Sequence, residues 1–245
     1  MKVFFCGLHH PNHAGRVPAA CISVNRLLGR KKPLPISNGY PWILDSGAFT
    51  TLIKYKGYPA SPEAYAVEVK RWGESISPPM AAVSQDYMCE SAMLKLTGLT
   101  VLEHQELTIH RYDILRECDL GGVYLLPVIQ GYEPNSYVEH LNQYGDRLQE
   151  GIWVGVGSVC KRNSNPIKIL EVLKAIHDTR PDLRLHGFGV KLTALMNPEI
   201  RELLYSSDSM SWSFAARRDG RDANSWVEAL AYSKKVYGII GESPP

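Results

Sequence analysis

Acidic residues are missing from the start of this chain: no Asp or Glu precedes Asp45, while Lys2, Arg16, Arg26, Arg30, Lys31 and Lys32 all do. The net charge of the whole chain is only +2, so the positive charge is local. Arg217, Arg218 and Arg221 make a second basic group. Such patches suit a polyanionic partner, the plainer reading being an ordinary solvated face. No apolar run approaches the roughly 18 residues that cross a bilayer. The apolar start at 1–6 is too short for a secretory leader. A membrane partner is therefore not expected, and a soluble, cytoplasmic protein is. The five cysteines include no C-x-x-C pair, which argues against a disulfide framework and against a Cys-rich zinc site. Nothing after Asp208 is Cys or His. Gly155-Val156-Gly157 lacks the third glycine of a dinucleotide fingerprint. Internal repeats and low-complexity tracts are absent.

What is present is an alternation. Short apolar runs at 2–6, 42–44, 81–84, 123–129, 152–156, 183–188 and 207–210 read as buried strands. Helical patterns fall between them, at 62–72, 92–117, 134–148, 166–177, 198–204 and 224–236. Three of these open with proline behind a capping-type residue, at Ser61-Pro62, Asn165-Pro166 and Asn197-Pro198, where the missing N–H is not needed. Alternating β and α over 245 residues predicts an α/β fold with a parallel sheet, either a (β/α)8 barrel or a doubly wound sheet. Polar residues recur just past the strand C-termini, which favours the TIM-like barrel. Residues 1–245 read as one domain, with a long irregular connection at 12–40 that holds a short helix at 19–28. An eighth strand near 236–240 leaves the last unit irregular.

The chemistry gathers at those strand ends. Asp45 and Asp208 each close an apolar run, where a carboxylate is costly unless it is hydrogen-bonded or has work to do. Two such groups suit nucleophilic substitution at a sugar carbon. Asp86 follows a third strand, Gln130-Gly131 a fourth, Gly155-Val156-Gly157 a fifth and Phe188-Gly189 a sixth. Together they describe a pocket with three carboxylates, one amide, two aromatic rings and close-approach backbone, suited to a flat purine-like ring. Taken singly, each residue has a plainer reading. Asp45 suits a turn cap, Asp208 a helix N-cap, Gln130-Gly131 a strand exit, and Phe49 and Phe188 the core. Cys6-x-x-His9-His10-x-x-His13 matches no standard zinc spacing, and its histidines read as loop groups near the pocket mouth.

In this order the motifs resemble the tRNA-guanine transglycosylase superfamily. Asp45-Ser46-Gly47-Ala48-Phe49-Thr50 is similar to its Asp-Ser-Gly-Gly-Phe/Tyr-Gln motif, and Asp86 to its base-reading aspartate. Ile129-Gln130-Gly131 resembles Val-Gln-Gly, Val154-Gly155-Val156-Gly157 its Val-Gly-Gly/Glu turn, and Phe188-Gly189-Val190-Lys191 its Met-Gly-Val-Gly segment. Ser207-Asp208-Ser209-Met210 resembles the nucleophile motif. The family's tRNA-acting members carry a Cys/His zinc site after the nucleophile, and this chain has none. The run Asp208 to Arg217 looks instead like the phage and bacterial branch that inserts 7-deazaguanines into DNA.

The resemblance implies a barrel enzyme that exchanges guanine in DNA for a 7-deazaguanine. Asp208 is the implied nucleophile at C1′ and Asp45 the general acid and base. Asp86, Gln130, Gly131 and a backbone N–H near Gly155 or Val156 are the implied base readers, with Ser46, Gly47, Gly157 and Gly189 around them. Phe49 and Phe188 are the implied stacking rings. Arg217, Arg218, Arg221, Lys161, Arg162, Asn163, Lys31 and Lys32 are the expected DNA-backbone contacts. The implied partners are DNA with a flipped guanine nucleotide and a free 7-deazaguanine such as preQ0. No metal or other cofactor is implied. The location would be the host cytoplasm if a phage encodes the chain, and the role protection from restriction enzymes. The same exchange on RNA, a retaining glycosidase and a non-catalytic nucleic-acid-binding subunit are the rival readings.

Overall fold

The computed structural model describes residues 1–162 and 164–244. In chain order the elements are β1 (Val3–Gly7), β2 (Ala20–Ser23), β3 (Trp42–Asp45), α1 (Ala48–Tyr55), α2 (Pro62–Gly73), β4 (Ala81–Val83), α3 (Ser91–Thr97) and α4 (Val101–Arg116). There follow β5 (Tyr124–Leu126), β6 (Val128–Ile129), α5 (Pro134–Tyr144), β7 (Trp153–Val156), α6 (Pro166–Thr179) and β8 (Arg184–Gly187). The last are α7 (Leu192–Leu195), α8 (Pro198–Leu203), β9 (Leu204–Ser209), α9 (Ser211–Arg218) and α10 (Trp226–Ile240). No helix among the described residues is long and apolar enough to cross a membrane.

The strands form one nine-stranded sheet in the order β5-β4-β3-β2-β1-β9-β8-β7-β6, and each recorded pairing is parallel. Its two ends, β5 and β6, are separated in the chain by Pro127 alone. They are two halves of one bent segment. The first half pairs with β4 and the second with β7, and the Pro127 carbonyl accepts from Gly155 N–H at 2.8 Å. Proline has no N–H to give to a ladder, so the break falls at a residue that could not have continued it. Eight chain segments thus make a nearly closed α/β barrel, as the sequence predicts.

The eighth segment is not where the sequence puts it. It is β2, inside the stretch read as a connection with a helix at 19–28; Ala20–Ser23 lies between β1 and β3, and only a single 3-10 turn at Val24–Arg26 follows. The apolar stretch at 236–240 is instead the end of α10, which buries Ala229, Ser233, Val236 and Tyr237 along one stripe and stops at Gly241 with φ 71°. The helix expected over 92–117 is two. Gly98 closes α3 in the left-handed region, φ 76°. Thr100 opens α4 with a reciprocal capping box, accepting from Glu103 N–H while the Glu103 carboxylate accepts from Thr100 N–H at 2.7 Å.

Period-2 alternation divides the strand side chains between two cores. Phe4, Cys6, Ile22, Trp42, Leu44, Ala82, Val154 and Leu185 face the helices. Phe5, Cys21, Ile43, Ala81, Val83, Leu126, Val128 and Trp153 fill the barrel interior, each large one worth about 1.5–3 kcal/mol when fully buried. The same parity sends Asp45, two residues after Ile43, inward. Asp208, in register with Phe5, also points inward.

Thr100→Ala removes the α4 cap. The expected loss is about 1 kcal/mol of stability, read as a lowered urea midpoint with an unchanged slope.

Candidate active site

A cavity of about 600 Å³ opens at the C-terminal ends of the strands. Gly7, Ser23, Asp45, Asp86, Gln130, Gly157, Phe188 and Asp208 line it, one from the end of each chain segment of the barrel. Parallel closure therefore brings the three predicted carboxylates together.

Asp45 ends β3, and its Oδ2 accepts from Gly47 N–H at 3.0 Å. Gly47 holds φ 73°, a left-handed turn that folds its N–H back onto the carboxylate; a Cβ there would also lie 2.3 Å from Asn25 Nδ2. Burial and then the negative charge of Asp208 push Asp45 up to about 6, against the opposing bond from Gly47 N–H. Its side chain still opens onto the cavity. An acid tuned this way exchanges its proton near neutral pH.

Asp86 is the centre of a buried chain of hydrogen bonds. Its Oδ2 accepts from Gln130 Nε2 and its Oδ1 from the Ser46 hydroxyl at 3.4 Å. Gln130 Oε1 accepts from the Ser158 hydroxyl at 2.7 Å, and Ser158 Oγ accepts from Cys89 N–H at 2.8 Å. Ser158 sits at φ 56°, a conformation rare for a residue with a Cβ and typical of functional sites. Gly157 leaves room for the amide, since a Cβ there would lie 2.1 Å from Gln130 Nε2. Burial, then the charge of Asp45, raises Asp86 to about 7; the Gln130 bond opposes the shift and Glu90 adds to it.

Asp208 is the fifth residue of β9, and its Oδ1 accepts from Gly189 N–H at 3.0 Å. Phe49, in the first turn of α1, is 45% exposed and stands at the rim with Lys161 Nζ 5.1 Å from its ring centre. Phe188 is half-buried and lies edge-on to His186 at 4.7 Å.

Four of the expected base-site residues stand back from the cavity. Ser46 is buried beneath Asp86, and Gly131 packs on Tyr137 and Ser136. Gly155 lies under the Phe188 ring and its N–H is committed to Pro127. Val156 is fully buried among the helix-facing residues. Neither Gly155 nor Val156 faces the cavity, because strand pairing and alternation take them; Gly157, Ser158 and Gly189 line it instead.

The basic residues also divide. Arg217 lines the cavity with Arg26 and His9. Arg218 is paired with Asp219 at 3.0 Å, and Arg221 with both Asp219 and Glu228, so much of that cluster's charge is neutralised. Arg162 lies over the Tyr132 ring at 5.3 Å. Lys31 and Lys32 are exposed in the loop after β2, away from the cavity lining. Asn163 lies outside the described residues. The Cys6 and histidine cluster disperses: Cys6 Sγ donates to Ala229 O at 3.7 Å, His9 Nε2 lies 2.9 Å from Ser213 Oγ, and His10 stacks edge-on to His13. Among the described residues no group of three or more His, Cys, Asp or Glu side chains is placed so that it could hold a metal ion.

Sequence reasoning missed Glu90, Phe214 and His186. Glu90 follows Asp86 in the same short loop, a second carboxylate that was visible; its Oε1 accepts from Cys160 Sγ at 3.5 Å and its Oε2 is buried with no hydrogen-bond partner. Phe214, 68% exposed, adds an aromatic face to the rim beside Arg217.

Asp45 and Asp86 both hold protons more tightly in the fold than at the ordinary 3.8. Stability that is fully present below about pH 4 is therefore lost as pH rises through the folded values near 6 and 7. Urea midpoints are expected to fall between pH 4 and pH 8, and Asp86→Asn to flatten the upper part of that fall.

A family model described as DpdA, DeoxyPurine in DNA protein A, matches residues 1–229. No curated protein matches the chain.

Proposed function

The chain belongs to the DpdA family, whose members act in deazapurine modification of DNA, and from that membership and the cavity we propose that it exchanges guanine in DNA for a 7-deazaguanine through a covalent glycosyl-enzyme. The observation that carries the reading is the meeting of Asp45, Asp86 and Asp208 in one cavity rimmed by aromatic and basic side chains. Substitution at C1′ needs a nucleophile and a proton donor, and holding a purine needs hydrogen-bond acceptors and ring faces.

In the proposed reaction a flipped deoxyguanosine enters from the rim. The Asp208 carboxylate attacks C1′, the C1′–N9 bond breaks, and its electron pair leaves with guanine, which takes a proton from Asp45. The incoming 7-deazaguanine, preQ0 being one form, then gives its N9 proton to Asp45. Its N9 attacks C1′, and the ester bond to Asp208 breaks to restore the carboxylate. Two displacements retain the anomeric configuration, as in retaining glycosidases. Asp86 and Gln130 read the base edge, and the backbone at Gly157 and Gly189 lets the ring approach. Phe49 and Phe188 take its two faces, offsetting the few kcal/mol of unstacking. Arg26, Arg217 and Lys161 meet the DNA backbone at the mouth. The Asp45 value of about 6 supports a group that can serve as acid in one half-reaction and base in the other.

The test incubates the protein with DNA carrying labelled guanine and a panel of 7-deazaguanines, with tRNA in parallel. Guanine release from DNA alone, with matching incorporation, is expected. Release from tRNA alone, or hydrolysis without base uptake, would overturn the reading. Asp208→Asn is expected to abolish the covalent adduct, seen on a denaturing gel, while DNA affinity stays within about threefold. Asp45→Asn is expected to slow both half-reactions by about 10²-fold or more, and Phe49→Ala to weaken base binding more than DNA binding.

A further inference from the structure

Behind Asp208 lies a row of polar groups that neither the motifs nor the proposed reaction uses. Trp153, His186 and Ser206 all point into the barrel. His186 and Ser206 are paired across β8 and β9, and both are fully buried. Trp153 Nε1 donates to Ser206 Oγ at 2.9 Å. Ser206 Oγ is 2.9 Å from His186 Nδ1. His186 Nε2 is 3.4 Å from Asp208 Oδ1, a contact that falls short of a hydrogen bond, and this buried nitrogen has no hydrogen-bond partner. The remaining faces of the imidazole meet the rings of Phe5, Trp153 and Phe188, none of which offers it an acceptor.

The proton positions follow from what each group can do. An indole N–H only donates, so Ser206 Oγ accepts from Trp153. The hydroxyl has one proton, and its other polar neighbour is His186 Nδ1. Donating that proton to Nδ1 satisfies the hydroxyl and makes Nδ1 an acceptor, which leaves the proton of the neutral imidazole on Nε2. Asp208 Oδ1 is the acceptor that the structure places beside that nitrogen. A separation of 3.4 Å is longer than the usual hydrogen bond, and contacts of this kind tighten when the reacting complex forms.

We propose that His186 is the positioning residue of the Asp208 carboxylate: with Gly189 N–H it holds Oδ1, and so selects Oδ2 as the oxygen that bonds to C1′. The proposal rests on the reading of Asp208 as nucleophile. It also gives His186 a part in one half-reaction more than in the other. In the adduct Oδ2 is the ester oxygen and Oδ1 the carbonyl oxygen. When the ester breaks, full negative charge returns to the carboxylate, and two N–H donors on Oδ1 stabilise it there. Donors aimed at the site where charge develops favour that step. Without His186 the carboxylate is a poorer leaving group, and the enzyme stays longer as the adduct.

The experiment uses oligonucleotides with a single guanine, single-stranded and as duplex, and reads the adduct fraction on denaturing gels. A chase with labelled free guanine measures its discharge, so the result does not depend on which 7-deazaguanine is the natural base. His186→Leu is expected to discharge the adduct about tenfold or more slowly than wild type and to accumulate it. His186→Gln places an N–H donor near the Nε2 position and is expected to recover most of the discharge rate. Ser206→Ala, which frees the ring to take either tautomer, is expected to shift in the same direction as His186→Leu by a smaller factor. If His186→Leu does not fold, the other two variants carry the test. Wild-type discharge in Ser206→Ala together with no distinction between Gln and Leu, or equal slowing of formation and discharge in every variant, would overturn the proposal. Absence of any adduct in the wild type would overturn the nucleophile reading beneath it, a failure visible before any variant is made.

Discussion

Parallel pairing around a ring makes every chain segment leave the barrel on the same side. The ring closes here because one segment bends at Pro127 and serves both ends of the sheet, β4 through Tyr124–Leu126 and β7 through Val128–Ile129. With that closure, residues far apart in the chain share one mouth. Asp45, Asp86 and Asp208 then have no freedom to avoid one another, and the alternation of the strands turns Asp45 and Asp208 inward.

That crowding sets the electrostatics. Three carboxylates in one desolvated cavity cannot all hold a full charge at ordinary values, and the cost appears as the raised values of Asp45 and Asp86. The fold distributes compensation unevenly. Asp86 receives the Gln130 amide and the Ser46 hydroxyl, Asp45 the Gly47 N–H, and Asp208 the Gly189 N–H. These unequal surroundings let chemically identical side chains take different parts, which is how paired carboxylates generally divide acid and nucleophile work.

Much of this was legible in the sequence, and the exceptions have physical reasons. Asp45 and Asp208 stood out because each ends an apolar run, and the glycines around Gln130 and Phe188 marked close backbone approach. The barrel itself followed from alternation. Strand β2 did not, because Ala20–Ser23 lies inside an irregular stretch rich in Pro, Gly and Arg; only its neighbours define it as a strand. The opposite error at 236–240 came from an apolar run whose helical register is visible only once Ala229 and Ser233 are seen on the same stripe. His186 was invisible for a different reason. A histidine inside a strand is ordinary, and its importance lies in its register with Ser206, which no local pattern carries.

The barrel's seam has a consequence for how the chain is made. Strand β1 pairs on one side with β9, Phe5 lying opposite Asp208, and Tyr237 of α10 reaches back to bond the Phe4 carbonyl. Within this barrel β1 is thus made about 200 residues before its partner β9, and waits on the order of 10–40 s at usual elongation rates with one edge unpaired. An unpaired edge invites the wrong neighbour. The last barrel strand to be synthesised is the one that carries Asp208, so a nascent chain has that carboxylate only when it can also close the seam.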